Sequence, residues 1–278
     1  MEIINHEAVT NQPAQTQATT AGRVYAIARN AFREALRDRV LYNLVLFALL
    51  LSAGAIFLGE LSGGQEARII VNMGLSAMLL FGAFISIFVG VGLVYKEIER
   101  RTVYAIFSKP VGRGEFLVGK YLGLCLTLAV NTAVMGAGVT LALMYVSGGW
   151  DPLITSVWSA VFMIYMELMI LTAVALLFSS FSTPALSALL TFFVFIIGHF
   201  SADLKTLATS TGATGARWFF GALYYLLPNL ANFSYITPAA NGQTPAPAMI
   251  FASLAYAVVY IVILLAAATL IFDRRNFK

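Results

Sequence analysis

The sequence predicts an all-α integral membrane protein with six transmembrane helices and with both termini in the cytoplasm. Three observations predict this class. Apolar residues make up 60% of the 278 residues and charged residues only 11%, whereas soluble domains contain about 45–50% and about 25%. Six apolar stretches approach the ~20 residues needed to cross a bilayer. The basic residues lie mostly on one side of these stretches, which is the pattern that sets orientation in membranes.

The six apolar stretches are bounded by polar or helix-breaking residues. Thr183 and Pro184 suit the N-cap and first position of the fifth helix, and Asp151 suits the N-cap of the fourth. The third stretch is long for a span and the fifth is short. The predicted spans are Leu41–Leu61, Ile70–Tyr95, Phe116–Val146, Leu153–Ser180, Pro184–Phe200 and Ala248–Phe272.

The distribution of Lys and Arg predicts the orientation of the chain. Fourteen of the 17 basic residues fall on the side that holds both termini, and only Arg68, Lys205 and Arg217 fall on the other side. Cytoplasmic loops carry the excess of basic residues in membrane proteins. Both ends are therefore predicted to be cytoplasmic, and the net charge of +4 reports orientation and not nucleic-acid binding.

The N-terminal 40 residues divide into two segments. Residues 1–21 are polar and lack the basic and apolar regions of a signal peptide, so they are predicted to form a disordered cytoplasmic tail. Residues 22–40 have helical apolar periodicity, with Arg29, Arg33 and Arg37 on the opposite face. The alternatives are a solvated helix and an interfacial helix, and its position directly before a span favours the interfacial one.

The cytoplasmic loop of residues 96–115 is the richest polar segment. It mixes charged and apolar residues at helical spacing, which suits either docking onto another protein or lying on the membrane surface. The segment Gly114–Tyr121 matches the glycine and lysine spacing of a P-loop, but Tyr121 stands where Ser or Thr would bind magnesium. Nucleotide binding is rejected here, so any ATP must be bound by another chain.

Two further patterns concern helix packing and the external loop of residues 201–247. Small residues four apart, Gly82, Ser86 and Gly90 in one helix and Gly119 and Gly123 in the next, predict faces for close helix contact. Within the external loop, Ala216–Leu227 is apolar and aromatic but too short to span, which predicts a re-entrant or interfacial helix before the sixth span.

Intramembrane polar residues provide the other candidate site. Glu167 lies mid-way along the fourth span, where an acid costs ~2.5–3.5 kcal/mol and usually faces a cavity or a partner. Substrate contact, proton relay and gating are the functional interpretations, and a structural hydrogen bond to Asn131 or Thr132 is the alternative. His199, at the end of the fifth helix, suits hydrogen bonding or titration near neutral pH. The single cysteine, Cys125, excludes an intrachain disulfide.

The cytoplasmic loop carries a resemblance to a known family. Its sequence resembles the first cytoplasmic loop of ABC-2 type transporter permeases, in the subgroup that contains the permease of the copper-processing, nitrous-oxide-reductase maturation system. Similar pieces follow before the fifth helix and in the external loop. The matching loop residues are Glu97, Glu99, Arg100, Thr102, Lys109, Pro110, Arg113, Glu115, Phe116, Gly119 and Lys120.

The resemblance implies a permease subunit, which is not itself an enzyme, in a bacterial inner membrane. Residues 22–278 would form the six-helix domain, with Arg23–Val40 as connecting helix and Glu97–Ser108 as coupling helix. The chain would hold no cofactor, pair with a second permease subunit, and contact cytosolic ATP-binding subunits that carry ATP and magnesium, besides membrane lipid and an envelope or periplasmic accessory protein. The implied ATPase-coupling residues are Glu97, Glu99, Arg100, Arg101, Thr102, Lys109 and Arg113.

Three functions follow as hypotheses. The leading one is an ATP-driven exporter of an apolar or amphipathic substrate. The second is an envelope assembly or tethering machine without substrate transport. The third is an intramembrane enzyme that uses Glu167 and His199, and it requires that these two side chains, from different helices, meet in space.

Overall fold

The computed structural model of the chain describes residues 19–60, 64–99, 112–201, 206–207 and 214–274, and the regular elements among them are helical. Predictions for residues 1–18, 100–111 and much of 202–213 therefore lie outside the described residues. The α-helices, numbered along the chain, are α1 (Thr20–Ala35), α2 (Arg39–Glu60), α3 (Glu66–Glu99), α4 (Arg113–Ser147), α5 (Leu153–Ser179), α6 (Pro184–His199), α7 (Thr214–Leu226), α8 (Ile236–Ala240) and α9 (Pro247–Arg274), with a 3-10 helix at Leu230–Phe233.

The helix starts have the local causes that the sequence indicates. Pro184 occupies the first turn of α6, although the Thr183 side chain makes no capping hydrogen bond. Asp151 Oδ1 accepts a hydrogen bond of 2.8 Å from the backbone N–H of Leu153, which opens α5. The predicted start of α6 at Pro184 is confirmed. The predicted N-cap of α5 is wrong by one residue, because Pro152 takes that position and Asp151 precedes it.

Five of the described helices are long and apolar enough to cross a membrane, namely those containing Leu41–Gly59, Glu66–Gly92, Arg113–Ser147, Leu153–Ser179 and Pro247–Ile271. The sixth predicted span, α6, is apolar but has only 16 residues. At 1.5 Å per residue its length is about 24 Å, which is less than the ~30 Å of a hydrocarbon core. The chain is therefore an all-helical, multi-span membrane protein in which one apolar helix is short.

Helix α5 lies at the centre of the fold. It is apolar on all sides and buried along most of its length, as expected of a core helix. The small face of α3 packs against it, since a Cβ added to Gly82 would lie 2.5 Å from Leu168 Cδ1, and one added to Gly90 would lie 3.3 Å from the Ala175 Cβ. The predicted close-packing face of α3 is confirmed.

The second face of small residues, Gly119 and Gly123 on α4, packs against α1. A Cβ added to Gly119 would lie 2.7 Å from Ile27, and one added to Gly123 would lie 2.5 Å from the Ala28 carbonyl oxygen. The two contacts advance in the same direction along both helices, so α1 runs beside the first turns of α4. Because α4 has 35 residues and a span needs ~20, α4 is longer than a hydrocarbon core requires.

The segment between α6 and α9 packs against the N-terminal half of α9. The Tyr256 hydroxyl accepts a hydrogen bond from the Asn229 N–H (2.9 Å), and the Tyr260 hydroxyl donates to the Leu226 carbonyl oxygen (2.6 Å). These tyrosines lie about 14 and 20 Å along α9 from its start. Tyrosine hydroxyls thus satisfy backbone groups that would be costly to leave bare in lipid.

Apart from these two hydrogen bonds, α9 leaves much of its apolar surface exposed. Its apolar side chains, such as Phe251 and Val262, are 70% and 60% exposed and face outward. A narrow face of small residues, Ser253, Ala257 and Ala268, is buried. Near its C-terminal end the Thr269 methyl group lies against Gly114, at the first turn of α4.

Candidate functional site

Polar side chains concentrate in two places in the described fold. The first, which we call the loop-side cluster, consists of Arg23 and Glu34 on α1 and Glu115 and Lys120 on α4. The second, which we call the buried pair, consists of Glu167 on α5 and His199 on α6. The loop-side cluster stands in the first turns of α4, directly after the predicted coupling loop, and the buried pair joins α5 to α6.

Three of the seven predicted coupling residues lie in the described part of the chain, at the ends of α3 and α4. Glu97 and Glu99 belong to the last turns of α3, and Arg113 is the first residue of α4. Arg100, Arg101, Thr102 and Lys109 lie outside the described residues. The two helix ends bring the two edges of the predicted coupling loop to one side of the molecule, while the coupling role itself stays a prediction.

Glu115 fixes the start of α4 and links it to α1. Its Oε2 accepts a hydrogen bond from the Gly112 N–H (3.2 Å), as in a capping box. Its Oε1 accepts a hydrogen bond of 2.9 Å from Arg23 Nη2. The two side chains are 25% and 17% exposed, so this charge-assisted bond is half-buried and less screened than a surface ion pair.

Lys120 makes the second link between α1 and α4. Its Nζ lies 3.2 Å from Glu34 Oε2, and the lysine side chain is only 1% exposed. A buried ammonium group needs a counter-charge, because its removal from water is costly. The same residue was the lysine of the rejected P-loop match, and its place inside α4, paired with a carboxylate, is not that of a phosphate-binding loop.

The predicted single helix of residues 22–40 is interrupted, because α1 ends at Ala35 and Arg39 begins α2. Of the three predicted arginines, Arg29 and Arg33 therefore lie in α1 and Arg37 lies beyond its end. All three are exposed, and among the described residues none of their guanidinium groups takes part in an ion pair. Helix α1 thus carries paired charges toward α4 and two exposed cations, Arg29 and Arg33.

The buried pair joins the two intramembrane candidates from the sequence. His199 Nε2 lies 3.2 Å from Glu167 Oε1, within ion-pair distance, although the two groups are not aligned for a hydrogen bond. The Glu167 side chain is 1% exposed and that of His199 is 24% exposed. The two side chains therefore meet in space, which is the geometric condition that the intramembrane-enzyme hypothesis requires.

The other ring nitrogen of His199 restricts the proton arrangement of the pair. Nδ1 lies 3.0 Å from the Phe195 carbonyl oxygen, which can only accept, so Nδ1 carries a hydrogen. In a neutral imidazole Nε2 is then an unprotonated acceptor that faces the carboxyl group. The close approach of Nε2 and Oε1 is favourable only when a further proton resides on one of the two groups.

Asn131 and Thr132, the expected partners of Glu167 on α4, form no hydrogen bond with it. Neither carboxyl oxygen of Glu167 has a hydrogen-bond partner among the described residues. Thr132 instead donates to the Leu128 carbonyl oxygen of its own helix (2.8 Å). The Asn131 amide nitrogen is buried without a partner in the described part of the chain. The alternative of a hydrogen bond from either residue to Glu167 is therefore wrong.

The chemistry available to the buried pair is proton binding. Within the described residues no group of three or more His, Cys, Asp or Glu side chains could hold a metal ion. Cys125, the single cysteine, is buried at 5% exposure. A carboxyl group beside an imidazole can hold or exchange a proton.

Comparison with known proteins decides the family. A family model described as ABC-2 family transporter protein matches residues 25–277. The chain belongs to the ABC-2 transporter family. The resemblance carried by the cytoplasmic loop is thereby confirmed, and the multi-span helical fold agrees with that family.

Two relatives of this ABC-2 chain are described as probable ABC transporter permease protein NosY. The protein from Pseudomonas aeruginosa is 30% identical over 125 residues, and the one from Stutzerimonas stutzeri is 29% identical over 128 residues. Each match covers 44% of this chain and 46% of the relative, so the chain spans about half the length of the curated relatives it matches.

Sequence reasoning missed the loop-side cluster as a unit. The sequence indicates Glu115 and Lys120 as residues that match the family, and Lys120 also as the lysine of the rejected P-loop match. It indicates Arg23 only as the start of the connecting helix. A signal was present, since Glu115 falls three residues after Gly112, at the position of a capping-box acid. Lys120 interrupts an apolar helix and so required a partner, but periodicity alone does not name Glu34.

Proposed function

We propose that this chain is the transmembrane permease subunit of an ATP-driven ABC-2 transporter, with six spans and both termini in the cytoplasm of a bacterial inner membrane. The observation that carries this proposal is the family match over residues 25–277. A separate cytosolic subunit binds and hydrolyses ATP, because the P-loop match in this chain lies within helix α4.

The junction of α3 and α4 is the proposed contact for the ATP-binding subunit. Support comes from α4, whose 35 residues are more than a hydrocarbon core requires, and from the two links that brace its first turns against α1. A movement of the ATP-binding subunit at the loop would then act on the start of α4, which the two ion pairs hold against α1. The coupling residues are Glu97, Glu99, Arg100, Arg101, Thr102, Lys109 and Arg113.

Export of an apolar or amphipathic substrate is the transport activity that we propose. ATP binding favours one of two permease arrangements and so biases their equilibrium. The second permease subunit is either a copy of this chain or a related chain.

Affinity purification of the tagged chain in mild detergent tests the partnership. We expect a stoichiometric ATP-binding subunit to co-purify with the wild type. The variants Glu99→Lys and Arg100→Glu should lose it while still inserting in the membrane. The matched control is Arg217→Glu, a charge reversal at an exposed residue of α7, which should retain it. Retention by both loop variants would move the contact elsewhere.

Substrate dependence of ATP hydrolysis separates transport from a purely mechanical role. A purified complex in lipid nanodiscs should hydrolyse ATP faster when an exported amphipathic compound is present. If no compound from the membrane extract changes the rate, and an envelope protein co-purifies instead, the tethering hypothesis replaces export.

A further inference from the structure

A groove of about 920 Å³ runs along the outer side of the contact between α1 and α4. Its lining includes no residue of the loop-side cluster or of the buried pair, although Arg23 donates a hydrogen bond of 3.2 Å to the lining residue Thr20. Its lining mixes small, aromatic and aliphatic side chains with two arginines. The lining residues are Thr20, Ala21, Val24, Tyr25, Ala28, Arg29, Phe32, Arg33, Leu122 and Leu126.

The charge of the groove is entirely positive. Arg29 and Arg33 are its basic lining residues, and the lining contains no Asp or Glu. The acids that could have neutralised them, Glu34 and Glu115, are instead engaged with Lys120 and Arg23. The groove therefore suits a ligand that brings an anionic group, and guanidinium groups bind phosphate oxygens with matched geometry.

The remainder of the groove is apolar and open. Leu122 and Leu126 of α4 are 46% and 50% exposed, and Tyr25 of α1 is 69% exposed. Large apolar side chains at such exposure suit a hydrocarbon neighbour in a membrane protein. The ligand must then carry an apolar portion beside its anionic group.

The position along α4 agrees with a lipid. This depth rests on the proposed topology: with Ser147, the C-terminal end of α4, at the outer border, ~20 residues place the inner border of the hydrocarbon close to Leu126. Leu122 then lies one helical turn toward the headgroups, and Arg29 and Arg33 line the same groove. Headgroup phosphates and the upper parts of acyl chains occupy this depth.

We propose that this groove is a binding site for one anionic phospholipid. Arg29 and Arg33 bind the headgroup phosphate, and an acyl chain lies against Leu122 and Leu126. The proposal does not depend on the ATP-binding partner, and the site needs only the described contact between α1 and α4.

Native mass spectrometry of the detergent-purified protein, titrated with lipid, tests this site. The two lipids are phosphatidylglycerol and phosphatidylcholine with identical acyl chains. We expect the wild type to bind phosphatidylglycerol at least about tenfold more tightly than phosphatidylcholine, given two cations near the headgroup. The double variant Arg29→Gln and Arg33→Gln should reduce this preference to about twofold or less.

The matched control is Arg37→Gln. Arg37 is an exposed arginine on the same surface of the chain, but it does not line the groove. It should keep the full preference for phosphatidylglycerol. A loss as large as that of the double variant would mean that general charge attraction, and not a site, holds the lipid. Since all three arginines are exposed, these variants should stay monodisperse.

A further variant and a competition experiment test whether the bound molecule is a lipid. Leu126→Trp should weaken both lipids several-fold by filling the apolar part, and glycerol 3-phosphate, which has no acyl chain, should not compete. Competition by glycerol 3-phosphate at lipid-like concentrations would assign the site to a free phosphate and overturn the proposal. A disulfide between two copies at Leu122→Cys, with loss of lipid, would assign the groove to a second copy.

Discussion

Three pairs of buried or half-buried charged side chains join helices that are distant in the chain. Arg23 meets Glu115, Glu34 meets Lys120, and Glu167 meets His199. A charge removed from water needs a counter-charge or a proton, so each pair fixes the approach of two helices. These charged pairs therefore help to determine which of the apolar helices lie next to each other.

Changes to the buried pair should have unequal effects on stability. Glu167→Met replaces a buried polar group with an apolar one of similar size, and we expect it to change the free energy of unfolding by less than about 1 kcal/mol. His199→Ala leaves the carboxyl group buried alone and should cost about 1–3 kcal/mol. Unfolding by SDS in mixed micelles measures both.

The double variant provides the decisive comparison. If the two groups interact across 3.2 Å, His199→Ala should cost clearly less in the Glu167→Met background than in the wild type. Thr132→Val is a suitable control, because its hydroxyl bonds only to carbonyl oxygens of its own helix. Additive costs at positions 167 and 199 would show that the pair does not interact in the membrane.

Sequence reasoning reached both members of this pair but not their contact. Glu167 and His199 stand out because each is an ionisable group in an apolar helix. Which side of α5 faces α6 depends on the rotation of each helix, and many similar apolar side chains set that rotation together. Nothing in the local pattern around Glu167 distinguishes His199 from Asn131 as its neighbour.

Small residues control the close helix contacts at the scale of whole elements. We expect Gly123→Ala to destabilise the protein by about 1–3 kcal/mol, because the new Cβ would lie 2.5 Å from the Ala28 carbonyl oxygen and 2.6 Å from the Ala31 Cβ. The backbone of α1 would have to move away. The measurement is again SDS unfolding in mixed micelles.

Gly92→Ala is the matched control for this substitution. Gly92 also lies in a long membrane helix, but an added Cβ there meets nothing within 4 Å. This change should be neutral or slightly stabilising, since alanine favours helix more than glycine does. Equal destabilisation at both positions would mean that α1 does not pack on α4 as described.

The bounds of the helices were largely predictable for a physical reason. Apolar runs in lipid end where polar, proline or glycine residues end them, so α5 and α6 begin at Leu153 and Pro184 as predicted. The arrangement of the segment between α6 and α9 was not predictable. Its backbone groups are satisfied by Tyr256 and Tyr260, and a hydroxyl donated from another helix leaves no periodic pattern.

At the scale of the whole molecule, orientation can be tested with introduced cysteines. Cys125 is only 5% exposed and should stay unlabelled. Trp150→Cys, at a residue 75% exposed between α4 and α5, should react with a membrane-impermeant maleimide in cells with an opened outer membrane. Arg37→Cys should react only after the inner membrane is permeabilised. The reverse pattern would invert the proposed topology.

Helix α9 gives the molecule a mechanical property. Its two tyrosines hold the segment that follows α6, while Thr269, near its other end, touches the first turn of α4. A helix of 28 residues is about 42 Å long, and its outward face is unrestrained by the rest of the chain. Its inner face, with Ala257 and Ile261, packs on the core at the same time. Helix α9 is thus a tie that couples the position of the segment after α6 to the start of α4.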